Sequence, residues 1–455
     1  MKKITCILII LISLPIVAYA QDFDHLTGTA IILTERSTGR VLFERNSEEL
    51  IYPASMIKVA TAIVALDYIA LDDILVVGEE IRRVPFGSSV VGHVIGEHIS
   101  GINAIRGLLI PSGNDTSNVV AAHVAGIVTG NDNLPFPEAE IIFVDLMNRR
   151  ARQIGAFNTN FTNAHGFHDP LMQTTAADMA LIADYALNID IIRQVAAEMV
   201  YIDNTWPEAP AGVLTRNVEW HSTNRLLVGR FYYPYAIGLK TGFTTPAGRC
   251  FMGAAHRNGI ELISIIAGST DPERWYDTMT LFDYGFNNYS FHPVSSANQP
   301  ISEINIENPR WGDETSVFVV GENSFYYFLT EAESRSIQTN IIYNHLALRD
   351  EDGRISFAAP LYAGDVVGEI IYLFNGQEIF RNNVIIYEDI LPFTYLSAII
   401  FLANFLRENP FTIYGLGFAL GVIFIGIVVY KTISLVRRGR GRRYRYTGYR
   451  LPGHK

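Results

Sequence analysis

Pro53-Ala54-Ser55-Met56-Ile57-Lys58 marks the point in this 455-residue chain where a strand pattern gives way to a helical one. Proline is a favourable helix-entry residue, and over residues 54–66 the apolar side chains recur at helical spacing. Ser55 and Lys58 are three apart, so on a helix both fall on one face within a turn. Ser55 also stands in the first turn, where unpaired backbone N–H groups and the helix dipole favour developing negative charge. A serine hydroxyl is a poor nucleophile unless a base takes its proton. A lysine serves as that base when burial or a second cation disfavours its charged form. Alone, the pair also fits an ordinary helix start with a solvated lysine.

Upstream, Ala30-Ile31-Ile32-Leu33-Thr34 and Val41-Leu42-Phe43-Glu44 flank a Ser37-Thr38-Gly39 turn and read as a hairpin. Downstream, apolar spacing predicts helices over 102–109, 115–126, 142–154 and 175–187. Strand patterns return after Tyr235, where 250–255 and 262–267 are joined at Asn258-Gly259, a strong hairpin signal. Strands thus bracket a block of helices, an α/β order that puts the terminal strands in one antiparallel sheet beside a helical cluster. After about residue 287, short β-type runs at 316–320, 325–329, 338–343, 368–373 and 384–387 describe a small all-β domain. It holds no catalytic constellation and reads as a pedestal. Two stretches rich in Pro and acids, 131–140 and 203–212, look like inserted loops.

Both ends of the chain point to a membrane. Lys2 and Lys3, an apolar run over 4–17 and Ala18-Tyr19-Ala20 make a secretory signal peptide over residues 1–20. Residues 411–430 carry no charge and are long enough to cross a bilayer core of about 30 Å, so a transmembrane helix is predicted over 411–433. The tail 434–455 is basic, which by the positive-inside rule makes it cytoplasmic and the rest extracytoplasmic: a single-pass protein of the cell membrane. Gly417 and Gly421 form a GxxxG pair suited to a homodimer. The apolar segment 390–408, interrupted by Pro392, is too short to span comfortably and suits either the outer interface or packing on the β-domain.

The net charge of −11 conceals this division. Of the 35 Lys and Arg, nine lie from Lys431 onward and two in the signal, leaving 24 against 46 acids, a balance of −22. So acidic a domain is unsuited to nucleic-acid phosphates, and the basic tail, with Tyr444, Tyr446 and Tyr449 interleaved, is better placed for anionic lipid. Cys6 leaves with the signal, so Cys250 remains alone and no intrachain disulfide forms. Cys250, at a strand start, reads as a buried small residue.

Two further motifs extend the chemistry: Ser112-Gly113-Asn114 and Lys240-Thr241-Gly242. Each alone fits a turn, a helix cap or a strand end. In this order, in an exported chain, they support one another. Lys240 supplies the second positive charge that disfavours the charged form of Lys58, and Ser112 can pass a proton between Lys58 and a leaving amine. None of the eleven histidines is needed. The backbone N–H groups of Ser55 and Phe243 are the candidates for an oxyanion hole, and Gly242 permits close backbone approach.

The three motifs fit the set of penicillin-binding enzymes and β-lactamases, with Gly113 where that set has Asp. Over residues 26–287 the chain resembles the low-molecular-mass penicillin-binding proteins of the D-alanyl-D-alanine carboxypeptidase type. Besides the Ser55 segment, the likeness rests on Pro111-Ser112-Gly113-Asn114-Asp115 and His123-Val124-Ala125-Gly126. It continues through Phe161-Thr162-Asn163-Ala164-His165-Gly166-Phe167-His168-Asp169, Thr174-Thr175-Ala176-Ala177-Asp178 and Asn224-Arg225-Leu226-Leu227. Gly238-Leu239-Lys240-Thr241-Gly242-Phe243-Thr244 completes it.

The resemblance implies a transpeptidase-like α/β domain over 21–288, a β-rich domain over 289–389, and release of terminal D-alanine from peptidoglycan stem peptides, inhibited by β-lactams, with no cofactor. On that substrate Lys240 and Thr241 face the terminal carboxylate and Asn114 the amide of the penultimate residue. Family members are commonly tethered by an amphipathic helix, and the spanning helix expected here departs from that.

Several rival readings bear on the same residues. His165 and His168 suggest metal, but no HExxH, Cys partner or spaced carboxylate accompanies them, so no metal site is expected. Glu219 and Asp169 read as solvated acids. A class A β-lactamase needs a further glutamate to activate the deacylating water, and His165-Gly166-Phe167-His168-Asp169 offers none. A DD-endopeptidase on the same fold, and a non-catalytic wall-binding relative, remain as alternatives.

Overall fold

The computed structural model describes residues 23–203, 217–310, 313–349 and 354–440. The expected signal peptide, most of the stretch 203–212 and the tail beyond Arg440 lie outside the described residues. The chain forms two compact units, one running to Phe291 with Phe328–Glu331 added, the other comprising His292–Tyr327 and the chain from Ala332 onward.

In the first unit, five strands form an antiparallel sheet in the order Val41–Arg45, Ala30–Glu35, Ile260–Ser269, Gly248–Arg257, Ala236–Thr244. The N-terminal hairpin therefore lies beside the last strands of the domain, as the bracketing order predicts. Its turn is fixed by the buried Glu35 carboxylate, which accepts from the backbone and hydroxyl of both Ser37 and Thr38. The second hairpin turns at Asn258 and Gly259, both at positive φ, as a type I′ turn requires.

Both faces of the sheet are covered, so its central strands are apolar throughout instead of alternating. Ile32, Ile263 and Ile265 join the helical core, whereas Ile31, Leu33, Leu262 and Ile266 pack with Trp275 and Phe282 of the helix Glu273–Asn288. The helical core is centred on Lys58–Leu66, of which every residue but Leu66 is buried. An α-helix apolar on all sides belongs inside a domain. Around it lie Gly101–Leu109, Asn114–Thr129, Phe136–Ile154 and Ala176–Leu187. Ser100 and Thr175 cap two of these, accepting from Asn103 N and Asp178 N.

The third of these helices starts earlier than its apolar spacing suggests. Pro137 lies in its first turn, where a missing N–H costs nothing, so part of the stretch 131–140 is helix instead of inserted loop. The helix Glu273–Asn288 escapes sequence reading because its buried stripe includes Arg274, Asp277 and Thr278. Asp277 is satisfied there: its Oδ2 accepts from Thr27 N at 3.0 Å, Thr27 Oγ1 at 2.8 Å and Gly28 N at 3.2 Å.

The second unit is built on a seven-stranded sheet around Ile304, Val319, Phe357, Ile370 and Val384. One pair, Pro300–Glu307 with Ile355–Ala358, is parallel. The strands Val366–Phe374 and Gln377–Ile386 form its longest hairpin, turning at Asn375-Gly376. Beyond the sheet, Thr394 and Ser397 form a capping box that opens the helix Tyr395–Glu408, whose Tyr395, Leu396 and Ile399 are exposed. Among the described residues no helix is long and apolar enough to cross a membrane. The span expected over 411–433 falls within Pro410–Arg440, a helix described only in part.

Candidate active site

The turn presenting Ser55 is tighter than an α-helical one. Ala54 stands at φ +47°, and Ala54–Ile57 form a 3-10 turn that runs into the helix Lys58–Leu66. In such a turn side chains three apart eclipse, which stacks Lys58 against Ser55. The Lys58 ammonium donates to Ser55 Oγ at 2.8 Å, to Asn114 Oδ1 at 2.7 Å and to the His165 carbonyl at 2.6 Å. Its three hydrogens are thereby used, and Ser112 is not among their acceptors. Lys58 is fully buried. Burial first, and the charge of Lys240 second, hold its pKa well below the usual lysine value, with Asp115 acting in the opposite sense.

Ser112 sits at φ +69° in the corner between the helices Gly101–Leu109 and Asn114–Thr129. Gly113 N donates to the Gly107 carbonyl, Asn114 N to the Ser89 carbonyl, and Ser89 Oγ to the Pro111 carbonyl. A β-carbon on Gly113 would stand 2.7 Å from Thr116 Oγ1 and 2.9 Å from Asp115 Oδ1, which accounts for glycine at this place in the motif. The buried Asp115 carboxylate accepts from Val91 N at 3.0 Å, Gly92 N at 2.8 Å and His93 N at 3.1 Å. His93 is buried in turn, one ring nitrogen 3.1 Å from Glu97 Oε2 and the other 3.0 Å from Thr116 Oγ1. The loop through residues 88–97 is thus tied at several points to the Ser112 corner.

A third segment closes over Ser55. Asn163 Oδ1 accepts from His165 N and from Gly166 N, and its Nδ2 donates to the Phe167 carbonyl. This fold-back turns the His165 carbonyl onto Lys58 and, at 3.3 Å, onto Ser55 Oγ. The His165 ring is buried, and burial with the nearby Lys58 charge lowers its pKa to about 3, so it is neutral; its Nδ1 accepts from Phe167 N. His168 packs edge-on against Tyr52. Among the described residues no three His, Cys, Asp or Glu side chains gather to hold a metal ion.

The strand Ala236–Thr244 forms the edge of the five-stranded sheet, so one side of its backbone lacks a strand partner. Lys240 on it is fully buried and donates to the Thr241 carbonyl at 3.1 Å; burial, then Arg274, lower its pKa to about 7. Thr241 Oγ1 lies 2.7 Å from Thr223 Oγ1. A β-carbon on Gly242 would stand 3.0 Å from the Pro53 carbonyl, so this glycine lets the strand lie against the Ser55 segment itself. Phe243 is half exposed, with the Arg249 guanidinium 4.0 Å over its ring. Behind the strand, the buried Arg274 donates to the Cys250 carbonyl at 3.3 Å. Cys250 is fully buried, and burial pushes its thiol up to about 11.

Ser55, Lys58 and Asn114 are therefore bonded directly, with Lys240 and Thr241 on the adjoining edge strand. Sequence reasoning missed the His165 carbonyl, Asp115, Thr223 and Arg274. Asp115 had a signal, an acid in the first turn directly after the second motif. A main-chain carbonyl has none.

A serine whose basic partner is a buried lysine, with a second lysine on an edge strand, is the arrangement of an acyl-transferring serine enzyme that works without histidine. Residues 17–271 match the family described as D-alanyl-D-alanine carboxypeptidase, Peptidase_S11, and residues 289–391 match the penicillin-binding protein 5 C-terminal domain. The chain belongs to the D-alanyl-D-alanine carboxypeptidase family. It is 26% identical to the Bacillus subtilis D-alanyl-D-alanine carboxypeptidase DacF over 381 residues, covering 81% of this chain and 87% of that protein. With the Mycobacterium tuberculosis D-alanyl-D-alanine carboxypeptidase DacB2 it shares 32% over 261 residues, covering 56% of this chain and 81% of that one. Among solved structures, penicillin-binding protein 5 from Haemophilus influenzae aligns with a TM-score of 0.57 at 25% identity, over 80% of this chain and 98% of that chain.

Proposed function

We propose that the chain removes the terminal D-alanine of peptidoglycan stem peptides through an acyl-enzyme on Ser55, with Lys58 as general base. One observation carries this reading: the fully buried Lys58 amine lies 2.8 Å from Ser55 Oγ. Its other two partners, Asn114 Oδ1 and the His165 carbonyl, can only accept hydrogen bonds. In the neutral amine they hold the two N–H bonds, so the lone pair falls toward Ser55 Oγ. Burial and Lys240 keep a share of Lys58 neutral.

Lys58 takes the Ser55 proton as Oγ attacks the carbonyl of the penultimate residue. The oxyanion is received by Ser55 N and Phe243 N. The leaving amine of D-alanine takes up the proton through Ser112, and water then cleaves the ester by the same route in reverse. Lys240 and Thr241 hold the terminal carboxylate, Gly242 keeps the strand against the nucleophile, and Asn114 orients Lys58 while reaching the substrate amide. β-Lactams acylate the same serine. The β-rich domain serves as a pedestal, residues 411–433 as the membrane span, and Gly417 with Gly421 as a dimer contact. The catalytic domain then works outside the cytoplasm with the tail inside.

The test is to incubate the full-length chain and Ser55→Ala with a diacyl-D-Ala-D-Ala peptide, a cross-linked muropeptide dimer and fluorescent penicillin. Wild type should release D-alanine and take the label, and the variant neither. Cleavage of the dimer without D-alanine release would make it an endopeptidase. Rapid penicillin turnover would make it a β-lactamase.

A further inference from the structure

Thr223 touches both walls of the site. Its backbone N–H donates to the Ile110 carbonyl at 3.2 Å, two residues before Ser112. Its hydroxyl lies 2.7 Å from that of Thr241 on the edge strand. The surrounding segment is locked by its own bonds: Ser222 N to the Met199 carbonyl, Asn224 N to Ser222 Oγ, and Leu226 N to Asn224 Oδ1. We infer that Thr223 is a positioning residue that sets the preference for a free terminal carboxylate, an inference that rests on the carboxypeptidase reading above.

The reasoning is one of hydrogen-bond direction. Each threonine hydroxyl has one hydrogen to give. The charged Lys240 ammonium, its Nζ 3.5 Å from Thr241 Oγ1, is a donor only, so below its pKa of about 7 it cannot receive the Thr241 hydrogen. With Thr223 donating to Thr241 Oγ1, the Thr241 hydrogen is left to point at a ligand. A carboxylate accepts and never donates, so it completes this chain of donors. A terminal amide presents N–H groups and an ester has lost the charge, and both complete it less well. Thr223 makes no contact with the ligand in this scheme; it acts through Thr241.

The experiment uses the full-length chain and compares kcat/KM for a diacyl-D-Ala-D-Ala peptide and its C-terminal amide, and acylation rates for benzylpenicillin and its methyl ester. Thr223→Val should lower kcat/KM for the free acid about tenfold, through KM, while the amide changes by less than about twofold. Thr223→Ser, which keeps the hydroxyl, should restore the acid-to-amide ratio. Adding Thr223→Val to Thr241→Val should cost nothing further. An equal fall for acid and amide would reduce Thr223 to a structural role, and an unchanged ratio would remove it from the site; either overturns the inference. If wild type is acylated by penicillin but releases no D-alanine, the carboxypeptidase reading fails alone, and the penicillin acid-to-ester ratio still decides Thr223. A chain acylated by neither overturns both.

Discussion

Gly166 and Ala54 are packed so closely that a β-carbon on Gly166 would stand 2.1 Å from the Ala54 carbonyl oxygen and 2.9 Å from Ser55 N. Gly166 is also at φ +84°, where an L side chain is strained. Gly166→Ala is therefore expected to displace the segment that aims the His165 carbonyl at Lys58. Acylation by fluorescent penicillin should fall by at least about a hundredfold, with about 3 kcal/mol of stability lost, read from thermal unfolding beside the labelling rate.

Asp115→Asn tests the loop clamp. It removes an anion that accepts three consecutive backbone N–H groups, and each buried donor left unpaired costs about 1–3 kcal/mol. The variant should unfold at lower temperature and acylate more slowly. Its charge raises the Lys58 pKa, so the residual activity should show its acid limb displaced to lower pH. A slowed enzyme with an unmoved acid limb would leave Asp115 a purely mechanical part.

The pH dependence follows from two lysines used in opposite states. In the proposed reaction Lys58 acts as the neutral amine, so acylation should rise as pH climbs through its depressed pKa. In the same proposal Lys240 acts as the cation, and in the free enzyme that charge should be lost as pH rises through about 7. The profile of kcat/KM for a carboxylate substrate should therefore turn down above neutrality. A bound carboxylate favours the charged form of Lys240, so the kcat profile should turn down at higher pH than that of kcat/KM. Stopped assays of D-alanine release across the pH range measure both limbs.

Asp277→Asn addresses the fold alone. Its carboxylate joins the Glu273–Asn288 helix to Thr27 and Gly28 on the N-terminal segment. A stability loss of about 2–4 kcal/mol is expected, visible as a lower denaturant midpoint, with penicillin acylation at low temperature unchanged.

The parts of this fold legible in the sequence are those whose signal is local. The two hairpins announce themselves through Ser37-Thr38-Gly39 and Asn258-Gly259, and the serine and two lysines through their spacing. What escaped depends on partners far along the chain. The Glu273–Asn288 helix buries Asp277 because residues some 250 positions earlier bond to it, a fact no apolar periodicity can carry. The 3-10 form of the Ser55 turn likewise depends on the Gly166 and Gly242 backbones pressing against Pro53 and Ala54. The hydroxyl beside that of Thr241 belongs to a threonine eighteen residues away whose neighbours look like ordinary turn.

Cys250 offers something of a different kind. Fully buried, and with its thiol held up near 11, it is slow to form the thiolate that electrophiles attack. In the folded domain it is therefore expected to react slowly with maleimides and peroxides, and faster once the sheet around it opens. Apart from Cys6 near the N-terminus it has no competing thiol in the chain. Its alkylation rate is thus a built-in clock for opening of the catalytic sheet, readable by mass on unmodified protein without adding any reporter.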